Sequence, residues 1–199
     1  MSVASTAWLM GVDFQLEHWI NAAAGSQPLL DAAMVALARW SELFFIAAVG
    51  LWFGVGLVRR SAPDRCGAGA ALLASGLALA VNQVISLLWT RPRPFAAHPG
   101  RVHVLLAHTA DASFPSDHVA AAMAIAVVLF MIHRRLGTLA ILLAAAVGYA
   151  RVFVGDHYPG DVAGGALVGV LAGAVLGAPA VRRAIARVDS TVSERLASS

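Results

Sequence analysis

Long apolar stretches, separated by short polar segments, dominate the hydrophobicity pattern of the chain. A bilayer core takes about 20 helical residues, so these stretches predict an all-α bundle of about five membrane-spanning helices, with six as the upper number. No lipid-exposed strand fits, because backbone groups in lipid need partners within their own segment. The apolar stretches are Leu43–Val58, Gly67–Trp89, Val119–Ile132 (extended toward Pro115), Leu136–Val154 and Val162–Val181.

The segments before the first apolar stretch are more polar. Residues 28–40 carry Asp31 and Arg39, and we expect them to extend the first spanning helix beyond the membrane or toward other helices. Residues 11–24 mix acidic side chains with large apolar ones and are too polar to span. This mixture is typical of an amphipathic helix in the membrane interface. Residues 25–28, Gly-Ser-Gln-Pro, end it.

Composition supports a membrane protein rather than a soluble one. Of 199 residues, 59% are hydrophobic and 13% are charged, whereas soluble domains carry about 25% charged residues. We therefore expect one integral membrane domain over residues 1–199. The net charge of +3, without a basic stripe, indicates no nucleic-acid partner. The single Cys66 excludes an intramolecular disulfide and a cysteine metal site. Since Arg39 is the first basic residue, we expect no signal peptide of the usual form.

The basic residues predict the orientation of the bundle. All fourteen are arginine, so no mechanism that needs a lysine is possible. Eight of them follow the first, third and fifth apolar stretches, which marks those ends as cytoplasmic by the positive-inside rule. The opposite, outer face then holds the 91–115 loop and the 151–161 segment. The eight arginines are Arg59, Arg60, Arg65, Arg134, Arg135, Arg182, Arg183 and Arg187.

Glycines recur every fourth residue in the last apolar stretch, at Gly165, Gly169, Gly173 and Gly177. This spacing places them on one helix face, where close helix packing is possible. We expect a contact within the chain, with a dimer face as the alternative.

Two short polar strings carry the candidate chemistry. In the first, Pro115, Ser116 and Asp117 suit a helix start, where free backbone N–H groups bind anions. His118 in that turn can deliver a proton to a leaving oxygen. The alternative is a capped helix start with an incidental histidine.

The second string is Arg151 to Asp161. Asp161 lies four residues after His157 and can accept the Nδ1–H of that histidine, which leaves Nε2 free to attack. Arg151 can grip two phosphate oxygens. The alternative is a structural arginine–aspartate pair beside a loop histidine. Residues 90–95, which precede both strings, give a weaker sequence signal. Their prolines hold Arg91 and Arg93 in an extended conformation, in which both arginines can donate hydrogen bonds to a phosphate.

For the remaining polar residues we expect roles outside the chemical steps. We expect the histidines of the outer loop to be solvated or to gate access to the site rather than to bind a metal. Asp156 is expected to be either a surface carboxylate or a neighbour that changes the proton affinity of His157. Arg39 and Glu42 are expected to form a structural pair, although charge inside a membrane segment leaves a functional role open. The loop histidines are His98, His103 and His108.

The order Arg93-Pro94, Pro115 to His118 and Arg151-x5-His157-x3-Asp161 resembles the three-part signature of the type 2 phosphatidic acid phosphatase superfamily, which includes lipid phosphatases and vanadium haloperoxidases. The resemblance covers about residues 82–165. It implies His157 as the nucleophile that forms a phosphohistidine, Asp161 as its orienting partner and His118 as proton donor and water activator. It further implies that Arg93, Arg151, Ser116 and backbone N–H groups of the Asp117 turn hold the phosphoryl oxygens, without metal or cofactor.

The chain departs from the superfamily pattern at three positions. Ser86 stands where a lysine is usual, Asp117 where a glycine is usual, and Ala150 where a serine is usual. Arg91 is the hypothetical substitute for the lysine charge. These changes affect the expected phosphate contacts rather than the nucleophile and its partners.

Within the superfamily, bacterial undecaprenyl-diphosphatases are resembled by four elements: Asn82-Gln83, the Arg-Pro-Arg-Pro-Phe string, the run from Ser113 to His118, and Gly155 to Pro159. That resemblance implies dephosphorylation of a polyprenyl diphosphate on the outer face of the bacterial inner membrane, which recycles the cell-wall carrier lipid and can confer bacitracin resistance. The alternatives are the same chemistry on phosphatidic acid, phosphatidylglycerol phosphate or a lipid A phosphate, a non-enzymatic transporter or lipid-binding subunit, and vanadate-dependent haloperoxidase chemistry, against which the short membrane chain argues.

Overall fold

The fold is a bundle of helices in a computed structural model that describes residues 3–187, with side chains from residue 10 onward. In this part of the chain no strand occurs, only an isolated bridge between Pro92 and Ala112. The all-α prediction is therefore confirmed. The helices are α1 (Val3–Asn21), α2 (Pro28–Val58), α3 (Ala62–Leu88), α4 (Pro94–Ala97), α5 (Asp117–Ile132), α6 (Arg134–Phe153) and α7 (Pro159–Leu176).

Within residues 3–187, four helices, α2, α3, α6 and α7, are long and apolar enough to cross a membrane. The apolar helix α5 has 16 residues, fewer than the roughly 20 that a bilayer core takes. The exact number of crossings therefore stays a prediction, as does the interfacial position of α1. The single long helix expected from residue 28 to Val58 is present as α2.

Helix ends differ from the expected ones where local chemistry overrides hydrophobicity. Helix α3 begins five residues before Gly67 because the Ser61 hydroxyl accepts the Asp64 N–H (3.4 Å) and caps the helix. Helix α7 ends at Leu176, before the expected Val181. The proline at position 179 disfavours helical backbone in the residue before it, which ends α7, and a further helical segment follows over residues 179–187, up to the last residue that the structure describes.

Helix α5 packs on α7 through small residues. A Cβ on Gly169 would meet Met123 Cβ at 2.9 Å, and one on Gly173 would meet the Ala124 carbonyl oxygen at 2.8 Å. Only glycine allows the two helices this approach. The predicted contact within the chain is thus confirmed for the glycines of α7.

Helix directions bring the two polar strings together. The C-terminal ends of α3 and α6 meet the N-terminal ends of α5 and α7 at one end of the bundle. The α2–α3 and α5–α6 connections, which carry the arginine clusters, lie at the other end. The loop of residues 89–116 joins α3 to α5 and covers the end that holds the candidate site.

Asn21 fastens this loop to the bundle. Its side chain accepts the His103 N–H (2.7 Å) and donates to the carbonyl oxygens of His103 and Phe153, each at 2.8 Å. Because Asn21 ends α1 and Phe153 ends α6, one buried side chain joins the N-terminal helix, the loop and the last turn of α6.

Candidate active site

The turn after α6 presents three functional side chains within seven residues. Arg151 lies in the last turn of α6, and Gly155 leaves the helix with a φ of 85°, a conformation that favours glycine. A Cβ there would also meet the His103 carbonyl oxygen at 2.8 Å. The N–H groups of Asp156 and His157 then bond the Arg151 carbonyl oxygen (3.1 and 3.3 Å), which turns both side chains back toward Arg151.

The His157 imidazole is oriented by a backbone carbonyl. Its Nδ1 lies 2.9 Å from the Ser113 carbonyl oxygen, which can only accept, so Nδ1 carries the proton and Nε2 has a free lone pair. The carboxylate of Asp161 is 3.7 Å from Nδ1, too far for a hydrogen bond. The expectation that Asp161 accepts the Nδ1–H directly is therefore wrong.

Asp161 is occupied by other donors, which explains this difference. Its Oδ2 accepts the Ser113 hydroxyl (2.5 Å) and the Tyr158 N–H (2.9 Å), the latter as part of the cap of α7. Its Oδ1 accepts from Arg91 (2.7 Å). Asp161 therefore acts on His157 through Ser113, whose position it fixes, and through its nearby negative charge.

Two guanidinium groups face the free nitrogen of His157. Its Nε2 lies 3.3 Å from Arg151 NH2 and 3.4 Å from Arg93 NH1. The imidazole is buried, and this burial lowers the pKa of His157 below the usual 6.5, further helped by the charge of Arg151. The nitrogen is thus unprotonated at neutral pH and lies where two cations can hold an anion.

Asp156 links the two arginines. Its carboxylate pairs with Arg93 NH1 (2.7 Å) and with Arg151 NH2, and it is 1% exposed. The surface position considered for Asp156 is therefore wrong, because both arginines enclose it. Arg93 also donates to Asp111 (2.7 Å), which lies 56% exposed. Each arginine is held in one orientation by a carboxylate, which reduces the entropy lost when an anion binds.

The start of α5 contributes the second histidine. His118 Nε2 lies 3.5 Å from Arg151 NH1 and 3.4 Å from Glu42 Oε1. Asp117 begins the helix, and its carboxylate accepts from Asn82 (2.8 Å). Ser116 precedes the helix with a buried hydroxyl that has no hydrogen-bond partner among the described residues, and it does not line the cavity. A phosphate contact of Ser116 stays a prediction.

These groups surround a cavity of about 240 Å³. The lining is polar for the most part and comes from α2, α3, α5, α6 and the two loops, which the sequence separates widely. Its members are Glu42, Gln83, Ser86, Arg93, His108, Asp111, Ala112, Pro115, Asp117, His118, Arg151 and His157. Ser86, at the position of the usual lysine, donates to the Phe114 carbonyl oxygen (3.0 Å).

Arg91 does not line this cavity. Its guanidinium pairs with Asp161 and with Asp13 of α1, both at 2.7 Å, and lies 3.8 Å from the centre of the Tyr158 ring. The hypothesis that Arg91 replaces the missing lysine as a phosphate ligand is therefore wrong. Two carboxylates and an aromatic ring fix it behind the site.

Sequence reasoning gave no role to Ser113 or Asp13, and for Glu42 it left a functional role open only as the alternative to a structural pair. Ser113 acts through a backbone carbonyl and a hydroxyl, and Asp13, which also accepts the Gly160 N–H (2.8 Å), comes from the N-terminal helix. Glu42 was expected to pair with Arg39, which instead lies over the Trp40 ring at 5.4 Å. The signal for Glu42 was a carboxylate directly before the apolar stretch Leu43–Val58, in the same expected spanning helix.

The loop histidines do not cluster. His98 stacks on Phe14, with ring centres 3.6 Å apart, whereas His108 lines the cavity. Among the described side chains, no group of three or more His, Cys, Asp or Glu residues has the arrangement to hold a metal ion.

Comparison with known proteins gives consistent matches. A family model described as the PAP2 superfamily matches residues 67–181. Undecaprenyl-diphosphatase BcrC of Bacillus subtilis (strain 168) is 42% identical over 95 residues, 48% of this chain and 48% of that protein. Bacitracin transport permease protein BcrC of Bacillus licheniformis is 37% identical over 134 residues, 65% of this chain and 66% of that protein. The chain thus spans between about half and two thirds of these relatives.

Two solved structures share the fold. The crystal structure of Aquifex aeolicus LpxE superimposes with a TM-score of 0.67 at 27% identity, covering 81% of this chain and 92% of LpxE. The transmembrane PAP2 type phosphatidylglycerolphosphate phosphatase from Bacillus subtilis gives a TM-score of 0.64 at 22% identity, with 84% of each chain covered. The second likeness, at its lower identity, concerns the fold alone.

Proposed function

Since the chain belongs to the PAP2 superfamily, we propose that it hydrolyses undecaprenyl diphosphate to undecaprenyl phosphate in a bacterial membrane. The observation that carries this proposal is the position of His157 Nε2 within 3.4 Å of guanidinium nitrogens of both Arg93 and Arg151. A phosphoryl group held by these two arginines has its phosphorus in front of an unprotonated nitrogen, which is the geometry of nucleophilic attack.

The reaction follows from the positions of the two histidines. His157 Nε2 attacks the terminal phosphorus, and the bond from phosphorus to the leaving oxygen breaks. Ser113 and Asp161 stabilise the positive charge that develops on the imidazole, because the first accepts the Nδ1–H and the second lies 3.7 Å away. His118 then activates a water that releases phosphate from His157.

The surroundings of the cavity support a lipid substrate. Glu42 and His118 also line a second cavity of about 130 Å³, whose other walls include Phe45 and Ile125. Those two residues in turn line an apolar groove of about 530 Å³ between α2, α5 and α6. The polar site thus continues into apolar walls suited to a hydrocarbon chain.

The distribution of arginines supports an outward site. The arginine clusters follow α2, α5 and α7, at the end opposite the candidate site, and such clusters favour the cytoplasmic side. A diphosphatase on the outer face fits the recycling of a carrier lipid used in cell-wall synthesis. Labelling of an engineered cysteine in the 95–112 loop by a membrane-impermeant reagent tests this orientation.

The deciding experiment compares substrates with the purified full chain in detergent–lipid micelles. We expect faster phosphate release from undecaprenyl diphosphate than from phosphatidic acid or phosphatidylglycerol phosphate, and activity that persists in EDTA. His157→Ala should abolish turnover, whereas His18→Ala, at an exposed position of α1, should not. Labelled phosphate should remain on the wild-type protein after an alkaline quench. A preference for phosphatidic acid refutes the substrate, and turnover by His157→Ala refutes the nucleophile.

A further inference from the structure

The apolar groove between α2, α5 and α6 has a polar end that the candidate active site does not explain. The groove has a volume of about 530 Å³, within the roughly 300–1,000 Å³ of ligand pockets. Its wall on α2 runs from Phe44 to Arg59, which is about 22 Å at the 1.5 Å rise of a helical residue. At the end remote from the active site it is also lined by Asp64 and His133.

The polar side chains at this end differ in what they bind within the protein. The Asp64 carboxylate accepts from Trp52 Nε1 (2.9 Å) and lies 2.6 Å from His133 Nε2, so it is already paired. Arg59, which caps α2, is exposed. Among the described residues, none of the ion pairs includes Arg59. Its guanidinium is therefore the charged group of the groove that is available to a ligand.

More positive charge lies around the same end. Arg60 follows Arg59 in the chain, and Arg134 and Arg135 begin α6 directly after His133. Basic pockets between spanning helices at the cytoplasmic boundary bind anionic lipid headgroups. On the orientation proposed above, this end of the groove lies at that boundary, opposite the end that holds the candidate active site.

We propose that the groove binds an anionic phospholipid of the inner leaflet, with the headgroup phosphate on Arg59 and an acyl chain between α2 and α6. A guanidinium donates two parallel hydrogen bonds to phosphate oxygens. An acyl chain of one leaflet spans about 15 Å, half of the roughly 30 Å hydrocarbon core. The far end of the groove, at Phe45, therefore stays open to the chain of a substrate from the outer leaflet.

The test titrates the purified full chain in detergent with phosphatidylglycerol and with phosphatidylcholine of the same acyl chains, and native mass spectrometry gives the Kd of each lipid complex. We expect phosphatidylglycerol to bind about fivefold more tightly, and Arg59→Gln to remove this preference without changing the Kd of phosphatidylcholine. The matched control Arg183→Gln removes an exposed charge beyond α7, outside the groove, and should keep both Kd values within about twofold of the wild type.

A second pair of variants tests the place of the acyl chain. Ala140 of α6 lines the groove, whereas Ala146 is exposed on the same helix outside it. Ala140→Phe should weaken the binding of both lipids by about tenfold, because it removes apolar contact with the chain, and Ala146→Phe should bind both lipids like the wild type.

Three results overturn the inference. They are equal Kd values of the two lipids for the wild type, equal weakening by Arg59→Gln and Arg183→Gln, and wild-type binding by folded Ala140→Phe. If Ala140→Phe does not fold, the pair of arginine variants decides. The measurement needs no turnover, so its outcome is separate from that of the proposed function.

Discussion

Arg91 gives the sharpest prediction, because the sequence and the structure assign it different tasks. Its guanidinium bonds the carboxylates of Asp161 and Asp13, both at 2.7 Å, and its side chain is 10% exposed. Arg91→Gln removes both charge-assisted bonds, each worth about 1.5–3 kcal/mol. The carboxylates keep other donors: Asp161 keeps Ser113 and the Tyr158 N–H, and Asp13 keeps the Gly160 N–H.

We therefore expect Arg91→Gln to lose about 3–5 kcal/mol of stability, the usual cost of breaking a buried ion pair. In detergent this corresponds to a fall in the unfolding midpoint on the order of 10 °C. The substrate KM should change little, because Arg91 does not line the cavity. Scanning calorimetry or a thiol-reactive thermal assay gives the midpoint, and phosphate release gives KM.

The control for this prediction is a second substitution in the same network. Asp13→Asn removes one of the two carboxylates that lose their cationic partner in Arg91→Gln, so the double variant should be more stable than the sum of the two single effects. Arg39→Gln, at an exposed arginine, should leave the midpoint unchanged. An unchanged midpoint with KM raised more than tenfold in Arg91→Gln would refute the structural role and restore the phosphate ligand.

Three other predictions concern the site and its support. Burial lowers the pKa of His157 below its usual value of 6.5, so its Nε2 stays unprotonated at pH 6.5. The acid limb of the kcat/KM profile against pH should therefore lie below pH 6.5, and a limb above that pH contradicts the burial argument. Asp156→Asn removes the carboxylate that orients Arg93 and Arg151, so inorganic phosphate should inhibit about tenfold less strongly in competition assays; equal or stronger inhibition would contradict this orienting role. Gly169→Ala places a Cβ 2.9 Å from Met123 Cβ and should destabilise the protein by about 1–3 kcal/mol, measured by thermal unfolding. The control Gly76→Ala has open space around it and should leave the stability unchanged or raise it.

The fold was predictable wherever hydrophobicity alone decides it. The long helix α2 and the all-α class follow from apolar runs, and the packing of α7 on α5 follows from glycines at every fourth position. The ends of α3 and α7 were not predictable from the same signal, because a Ser61 cap and a proline set them.

The candidate site was predictable only within short sequence segments. Arg151, Asp156 and His157 come together because one helix end and one turn hold them. Arg91 and Arg93 diverge although two positions apart: Arg93 has φ −66° and ψ 155°, and this conformation makes three residues per turn, so side chains two apart point about 120° from each other. Contacts from α1 and α2, such as Asp13 and Glu42, depend on tertiary packing that no local pattern encodes.

The amide of Asn21 limits how often the loop that it fastens can lift from the bundle. Two of its hydrogen bonds hold His103 and the third holds Phe153, and the Leu105 N–H bonds the Val154 carbonyl oxygen (3.2 Å). The loop therefore lifts from α6 only by losing three bonds together, the two at His103 and the one at Leu105. At about 1 kcal/mol each, their joint loss leaves the lifted state at roughly one molecule in a hundred or fewer. Admission to the site across this loop is then a rare, all-or-none event, and amide hydrogen exchange at His103 reports its frequency directly.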